Sequence, residues 1–586
     1  MKTRFIGIAL TILVLVASAY ADTILTRGRR KAISIFVPLF LTVLTPAFAQ
    51  REEAVLSNFE NSASSEQPNI LLNGDFTYGL QCYGDWAWST TGKNYKGDYG
   101  FFLSTDAHSP PYAAEIACKG SDCPKASIFT GEIPVAVGRS YLLKIYTKCP
   151  PGGSGYVYIP NTTVGNIYEP LSCNANWNLS QVSFTPAVGQ PTISIDIDDT
   201  SPLPLLIDDI VLTFSDGTAP TQTWIYPGRR LVSVSPTALS VDGSPYLALG
   251  FAGVPYRYYR QVAALGANTI VGNVFSPEVA RQFKNIVDVD GPTTECFSMG
   301  KSALDTAYEL GLNVLPDTKY EARVGYDNGT FSPNGGGGLL TLPRIASHYG
   351  PHLANIGWFL DDEPDLPQIV LYTLAPQMLI HEAAALRSKS TLPVLVDFQH
   401  AHYGPRSLIA PYNGSANIWV SEPYGTDFSG ITHATSLFNS IQRRPIWIYQ
   451  DDIATNLIVP KAYSAIVNGV TGLIYWGWQP FFHDQAGLDA VKQVFSELKF
   501  LKEPIFGQST SVTAPPGITA MGRQYKGRTY IFAVNPNSTS VTGSFTASGL
   551  TQGEKIQVLF EDRTITSSEG RFTDTFNGIA RHVYIY

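Results

Sequence analysis

Residues 357–364 have the sequence Gly-Trp-Phe-Leu-Asp-Asp-Glu-Pro, an apolar run that ends in three carboxylates and a proline. A short apolar run bounded by polar residues and proline is typical of a buried β-strand. Side chains alternate between the two faces of a strand, so Asp361 and Glu363 share one face, and Trp358 and Leu360 share the other. Because the second pair is bulky and apolar, we expect it to face covering helices. The two acids are therefore predicted to point to the enclosed side of the sheet, and the intervening Asp362 to point away from it.

The same kind of apolar run recurs along residues 246–505. The predicted strands are 246–253, 267–274, 312–319, 356–364, 392–400, 417–425, 445–452 and 472–480, and the predicted helices are 302–310, 367–387, 432–441, 461–467 and 486–501. Near-continuous apolar strands separated by helices require a parallel sheet that is covered on both faces. Eight such units in roughly 260 residues match a (β/α)8 barrel, whose functional face is formed by the C-terminal ends of its strands.

The flanking segments have β character. Residues 69–216 contain many short strand patterns separated by turn residues, which predicts a β-sandwich, and residues 509–586 predict a smaller one. Residues 50–68 and 217–245 are polar or rich in Pro and Ser and are predicted to be linkers. The expected fold class is therefore a multi-domain chain, with a central TIM barrel between two β-sandwiches.

Residues 1–49 are predicted to be a targeting segment. Two successive stretches each combine basic residues, a short apolar run and small residues of the A-x-A type, the second ending at residues 47–49. This pattern indicates a secretory signal and an exported protein without stable membrane insertion, the alternative being a retained hairpin of two membrane helices. Five of the six cysteines fall within residues 82–173, which predicts local disulfides in an oxidising compartment; Cys296 is either free or paired with Cys82.

The charge and loop patterns exclude some partners and cofactors. The net charge is -8 and the body of the chain has no basic cluster, so we expect no nucleic-acid partner. The glycine-rich run 335–338 lies in a long loop and not at a strand–helix junction, so no organic cofactor is expected. We expect a monomer.

The acids of the fourth strand are the strongest candidate site. Carboxylates stacked in a narrow cavity repel each other and lose solvation, which raises at least one pKa. A carboxylic acid that stays protonated near neutral pH can donate a proton. The alternative is a structural salt-bridge network, but Lys319 is the only basic residue at a neighbouring strand end.

The segment Asp362-Glu363-Pro364 resembles the strand-four Asn-Glu-Pro signature of the retaining glycoside hydrolases built on the (β/α)8 barrel. The resemblance implies that Glu363 is the general acid/base, and that Asp362 replaces an Asn that contacts a sugar hydroxyl. In that superfamily the nucleophile is a Glu at the end of strand seven, where this chain has Asp451. An Asp is chemically able to attack, but its side chain is one methylene shorter.

Glycoside hydrolysis needs a second carboxyl group, about 5 Å from the first if it attacks the sugar and about 6.5–9.5 Å from it if it activates water. Asp451 ends strand seven, which faces strand four across the barrel mouth. Glu422, in Ser-Glu-Pro-Tyr at the end of strand six, is the alternative partner. We favour Asp451, in which case Glu422 binds sugar hydroxyls or tunes the acid.

Other polar and aromatic residues at the strand ends are predicted to bind substrate. They are Asp361, Asp362, Asp397, His400, His402, Tyr424, Gln450, Trp447, Trp476 and Trp478. Polar groups suit sugar hydroxyls and flat rings suit sugar faces, although each ring taken alone also fits a core position. His400 and His402 are compatible with a metal, but the pattern offers no third ligand.

The N-terminal β segment resembles jelly-roll carbohydrate-binding modules at its two ends, residues 69–76 and 205–212. The resemblance implies that these ends pair in one sheet, and that Asp75 and Asp209 hold a structural calcium. The alternative is a sandwich that only packs against its neighbour.

Together these features predict an exported glycoside hydrolase that acts on a poly- or oligosaccharide. Two alternatives remain: a non-catalytic carbohydrate-binding protein whose barrel has lost its nucleophile, and a cell-surface adhesion protein that uses its β domains.

Overall fold

The computed structural model describes most of the chain after residue 68. The described ranges are 69–76, 82–88, 99–110, 112–118, 125–130, 133–136, 138–189, 192–201, 203–220, 228–254, 256–272, 302–318, 326–327, 330–331, 337–365, 376–424, 428–450, 454–476 and 484–586. The predicted targeting segment and first linker lie outside these ranges, as do Asp451, Trp478, Lys319 and Cys296.

Two five-stranded antiparallel sheets form the N-terminal sandwich, in the orders β1-β4-β11-β7-β8 and β2-β3-β12-β6-β9, with β5 paired to β10. The strands are β1 (Gly84–Trp88), β2 (Tyr99–Ser104), β3 (Ala113–Cys118), β4 (Lys125–Phe129), β5 (Ile133–Pro134), β6 (Tyr141–Lys148), β7 (Gly155–Thr162), β8 (Gly165–Pro170), β9 (Asn178–Phe184), β10 (Thr192–Ile193), β11 (Asp196–Asp199) and β12 (Leu205–Phe214). Inward residues alternate along the strands, as in Val157 and Ile159, and pack into one core. A disulfide joins Cys149 to Cys173, and Cys82 is disulfide-bonded as well.

The two ends of this sandwich lie side by side. The backbone N–H of Ile70 donates to the carbonyl of Leu212 at 2.7 Å, and that of Ile210 donates to Gly74 at 2.9 Å. Asp75 and Asp209 therefore belong to neighbouring segments. The Asp209 carboxylate accepts a hydrogen bond from the Ser109 hydroxyl and contacts His108 Nδ1, each at 2.6 Å. Calcium binding here stays a prediction.

Part of the predicted linker 217–245 forms a small sheet. Three short antiparallel strands, β13 (Val232–Val234), β14 (Leu239–Val241) and β15 (Ser244–Tyr246), follow one another, and Leu239 and Val241 pack against the interior of the barrel. This differs from the prediction, because strands of three residues among Pro and Ser give almost no periodic signal. The segment closes the end of the barrel opposite the candidate site.

The predicted barrel is confirmed. Eight parallel strands follow the order β18-β17-β16-β25-β24-β23-β22-β21. In chain order the strands of this region are β16 (Ala248–Ala252), β17 (Thr269–Val271), β18 (Asn313–Leu315), β19 (Tyr326–Asp327), β20 (Thr330–Phe331), β21 (Trp358–Asp361), β22 (Val394–Asp397), β23 (Ile418–Ser421), β24 (Ile446–Gln450) and β25 (Gly472–Tyr475), of which β19 and β20 form a separate hairpin. The isolated bridges Val314↔Asn355 and Asp317↔Phe359 close the seam between β18 and β21.

Eight α-helices in the described residues accompany these strands. They are α1 (Tyr259–Ala264), α2 (Ala303–Glu309), α3 (Gly337–Tyr349), α4 (Pro376–Arg387), α5 (Arg406–Ile409), α6 (Ser429–Ile441), α7 (Thr455–Val467) and α8 (Gln485–Ile505). The sequence did not predict α3, because its glycine-rich start and internal Pro343 are both poor helix signals. None of the described helices combines the length and hydrophobicity needed to cross a bilayer.

The C-terminal sandwich packs on the outside of the barrel. Its sheets follow the orders β26-β28-β29-β34-β31-β32 and β27-β30-β33. The strands are β26 (Gln508–Thr510), β27 (Val512–Thr513), β28 (Thr519–Tyr525), β29 (Arg528–Asn535), β30 (Val541–Ala547), β31 (Lys555–Val558), β32 (Arg563–Thr566), β33 (Arg571–Phe576) and β34 (Ala580–Ile585). Arg581 of β34 forms an ion pair of 2.5 Å with Glu497 of α8, and both side chains are buried. Tyr463 of α7 donates to the same Glu497, so this pair joins the sandwich to the barrel helices.

Candidate active site

Strand β21 delivers the acids to the barrel mouth through an irregular backbone. Phe359 faces the barrel interior, while Trp358 and Leu360 pack in the layer between the strands and the helices, as alternation predicts. The pairing with β22 then shifts between Phe359 and Asp361, which marks a bulge. Glu363 follows with a left-handed φ of 52°. A bulge next to a left-handed residue breaks the two-residue alternation after Phe359.

The break brings Asp362 to the barrel mouth. Asp362, predicted to point away from the mouth, lies with its carboxylate within 4.8 Å of oxygens of Asp397 and Glu422. Asp361, predicted to point into the mouth, is fully buried. One Asp361 oxygen accepts the backbone N–H of Asp362 at 2.8 Å, which fixes the turn into the site.

Asp362, Glu363, Asp397 and Glu422, which we call the carboxyl cluster, come together from three neighbouring strands. The Glu363 and Glu422 carboxyl groups are neighbours, as are those of Glu422 and Asp397, so each pair shifts the pKa of its members. The backbone N–H of Glu363 donates to the Asp397 carbonyl at 3.2 Å. Buried carboxylates that lie near one another repel, which favours the protonated form of at least one of them.

Burial is the main cause of the shifted titration of these groups. Glu363 is 9% exposed, and burial together with the neighbouring Glu422 raises its pKa to about 9. Burial also holds the pKa values of Glu422 and Asp397 well above the usual range, with further contributions from the surrounding carboxylates. At neutral pH Glu363 is consequently a carboxylic acid that can donate a proton.

Asp365, which the sequence analysis did not single out, orients the loop after β22. Its carboxylate accepts the backbone N–H groups of Gln399 and His400 at 3.2 and 2.8 Å, and it contacts His400 Nδ1 at 3.1 Å. His400 is thereby fixed by its backbone and its ring. The signal for this role was an acid two residues after Glu363, but only the fold shows which loop it holds.

Several buried polar groups near the cluster make no hydrogen bond with any described residue. They are the Tyr449 hydroxyl, both side-chain atoms of Gln450 and the Ser421 hydroxyl, all on residues with no exposed surface. Neither side-chain oxygen of Asp397 accepts a hydrogen bond in the described part of the chain. Buried polar groups are normally paired, so this set is typical of a site that binds a polar ligand.

The remaining predicted residues fall into three groups. Tyr424 hydrogen-bonds to Glu422, and His402 is partly buried beside the same loop, where burial lowers the pKa of its imidazole to about 4. Trp447 is fully buried in the barrel interior against Gly472 and offers no surface for stacking, whereas Trp476 is partly exposed above that core. Asp451 and Trp478 lie outside the described residues.

Three members of the carboxyl cluster have a geometry that could hold a hard cation. Oxygens of Asp362, Asp397 and Glu422 lie within 4.8 Å of one another, and carboxylates are the ligands that Ca²⁺ prefers. The two histidines that the sequence offered as ligands do not belong to this group. Shared protons and a bound cation are alternative ways to offset the same buried negative charge.

Comparisons with known proteins give only distant likenesses. No family model matches the chain, and no curated protein matches it. A GH30 endoxylanase from Clostridium papyrosolvens C71 has a TM-score of 0.39 and 12% identity over 58% of this chain and 96% of that chain. A maltogenic alpha-amylase from Thermotoga neapolitana has a TM-score of 0.40 and 10% identity over 58% and 98% of the two chains. An alpha-amylase from Geobacillus thermoleovorans has a TM-score of 0.39 and 13% identity over 60% and 93%. At TM-scores this low, the matches carry no conclusion about this protein.

Proposed function

We propose that this protein is a glycoside hydrolase in which Glu363 is the proton donor. The observation that carries the proposal is a buried carboxylic acid, with a pKa of about 9, in contact with a second carboxyl group at the C-terminal ends of the barrel strands. A neutral acid beside further carboxylates is the arrangement that glycoside hydrolysis requires. The unpaired polar groups around it provide hydrogen-bonding partners for sugar hydroxyls.

In the proposed reaction Glu363 transfers its proton to the glycosidic oxygen as the bond from that oxygen to the anomeric carbon breaks. The leaving sugar departs as a neutral alcohol, and Glu363 becomes a carboxylate. A second carboxylate must then attack the anomeric carbon or activate the water that attacks it. If the second carboxylate attacks, water then cleaves the bond between sugar and enzyme, gives its proton to Glu363 and frees the second carboxylate. If it activates water instead, it takes the proton of that water, and Glu363 is reprotonated from solvent.

We assign to Glu422 the role of raising the pKa of Glu363, because after burial it is the largest cause of that shift. The partner role belongs to Asp451 in this proposal, since the chain reaches it one residue after β24 ends at Gln450.

The test compares substrates whose leaving groups need different amounts of acid assistance. General acid catalysis contributes about 10²–10⁴-fold. E363Q should therefore lose activity in that range on cello-, xylo-, manno- or malto-oligosaccharides, but much less on the matching dinitrophenyl glycosides, which depart without a proton. D451N should lose activity on both substrate types. The exposed replacement E569Q is the matched control.

Two results would contradict the proposal. The first is equal loss of activity by E363Q on both substrate types, which would remove Glu363 from the acid role. The second is the absence of sugar release by the unmutated chain on all four oligosaccharide series. Binding without release would favour the non-catalytic carbohydrate-binding alternative.

We also propose the setting in which this enzyme works. The signal-like segment 1–49 supports export, and the Cys149–Cys173 disulfide is consistent with an oxidising compartment. The N-terminal sandwich is proposed to bind carbohydrate, with Asp75 and Asp209 as ligands of a structural calcium, and the chain is proposed to act as a monomer. Mass spectrometry of the secreted chain would test the cleavage site after residue 49.

A further inference from the structure

An open cavity of about 870 Å³ lies between the barrel and the C-terminal sandwich. We call it the α6 groove. One wall consists of the loops after β22 and β23 and one face of α6, and the opposite wall includes Thr519 and Asn537 of the sandwich. Its volume lies within the ~300–1,000 Å³ typical of ligand sites.

The groove begins beside the carboxyl cluster. Tyr424 lines the groove, and its side chain hydrogen-bonds to Glu422, which in turn contacts Glu363. Pro423, also in the lining, directly follows Glu422 in the chain. The groove and the carboxyl cluster are therefore neighbours, joined by two consecutive residues of the loop after β23.

The lining offers hydroxyl and amide groups on both walls. Ser429, Thr432 and Ser436 are exposed at spacings of three and four residues along α6, so they form one stripe on the helix. Thr519 and Asn537 present a hydroxyl and an amide from the sandwich. Such groups both donate and accept hydrogen bonds, as sugar hydroxyls do.

Aromatic surface accompanies these polar groups. Tyr403 lines the groove with 56% of its surface exposed, which is unusual for so large a ring. Tyr424 is partly exposed farther in. A tyrosine ring has an apolar face and a polar edge, which suits the C–H face of a sugar ring.

The described lining of the groove is poor in ionisable groups and has His402 and His433 as its two basic side chains. Among its described lining residues there is no Asp, Glu, Lys or Arg. His402, which does line it, has a pKa lowered to about 4 by burial and is neutral. A phosphorylated or uronic acid ligand would find no Lys or Arg among these described residues, so the lining favours an uncharged ligand.

We propose that the α6 groove binds the uncharged outer sugar units of a glycan chain whose scissile bond lies at Glu363. The barrel and the C-terminal sandwich then form these distant subsites together, and the sandwich is a part of the binding site. The proposal rests on the proposed glycoside hydrolase function and adds a preference for long, neutral chains.

The test measures how chain length affects cleavage. The double variant T432A/S436A removes two hydroxyls of the α6 wall, and Ala is the residue that a helix tolerates best. The probes are cello-, xylo-, manno- and malto-oligosaccharides of two to six units. For the series that is cleaved, the ratio of kcat/KM for the hexasaccharide to that for the disaccharide should fall about tenfold, equivalent to ~1.4 kcal/mol. S440A, one turn beyond the groove on the same helix, is the matched control and should keep the ratio.

A second measurement separates this inference from the catalytic proposal. Calorimetry of hexasaccharide binding to E363Q, with and without Y403A, should show about tenfold weaker binding when the ring is removed. Unchanged length dependence in T432A/S436A together with unchanged binding in the Y403A chain would overturn the inference and leave the hydrolase proposal intact. Failure of the unmutated chain to cleave any series would overturn both.

Discussion

Replacing Glu363 by Gln should make the folded barrel more stable, by an amount that depends on pH. Burial and Glu422 raise the pKa of this carboxyl from 4.5 to about 9. Below pH 4.5 both the folded and the unfolded chain hold the proton. As pH rises from 4.5 towards 9, the unfolded chain loses the proton while the folded chain must keep it, so stability falls. A glutamine side chain does not titrate and escapes this cost.

The size of the effect follows from the interval between the two pKa values. Each pH unit between the two pKa values lowers the free energy of unfolding of the wild-type chain by about 1.4 kcal/mol. At pH 7 the wild-type chain is therefore less stable by about 3 kcal/mol than at pH 4.5. E363Q should therefore gain stability over wild type by this amount at pH 7 and little at pH 4. The difference should grow up to pH 9.

The assay is denaturant unfolding of wild type and E363Q at pH 4, 5.5, 7 and 8.5. A probe of the barrel monitors the unfolding. Wild type and E363Q are compared at the same pH. The contributions of the other carboxyl groups to the free energy of unfolding therefore largely cancel. E569Q, whose glutamate is 80% exposed, should show no pH-dependent difference from wild type. A stability difference between E363Q and wild type that stays constant from pH 4 to 8.5 would refute the reasoning.

Three further outcomes are expected. Arg581→Met should lower the free energy of unfolding by about 3–5 kcal/mol, because it leaves the buried Glu497 without its ion-pair partner. Thermal unfolding measures this, and a shift in Tm no larger than that of an exposed substitution would contradict it. Gly472→Ala should lower the free energy of unfolding by about 1–3 kcal/mol, since a Cβ there would overlap the Trp447 ring. Equal stability of the variant and wild type in urea would argue against this packing. A chelator should leave sugar release unchanged if shared protons offset the charge around Asp397. A loss that added Ca²⁺ restores would instead assign a cation to the carboxyl cluster.

The sequence predicted the barrel well because its strands are buried on both faces. Ile418–Ser421 and Ile446–Gln450, for example, are almost uniformly buried, and such strands appear in sequence as continuous apolar runs. The strand predicted at 417–425 is observed only over Ile418–Ser421, since Pro423 has no N–H to donate to the sheet. The β14 strand was missed because its burial depends on the barrel beside it.

The candidate site was predictable in composition but not in geometry. The pattern of acids after the fourth predicted strand identified Glu363. The acid at the end of the sixth predicted strand identified Glu422. Strand alternation then misplaced Asp362, because a bulge is a response to packing with β22 and has no signature in these residues. The effect of Glu422 on the pKa of Glu363 likewise depends on how neighbouring strands are staggered.

The left-handed backbone of Glu363 has a consequence for protein engineering. At a φ of 52°, a residue with a Cβ carries a conformational cost of about 1 kcal/mol or more, which Gly avoids and Asn reduces. Burial of the carboxyl adds to this cost at neutral pH. A library selected for thermal tolerance alone would therefore drift towards Gly or Asn at this position and lose its proton donor, so any such selection should include turnover as a criterion.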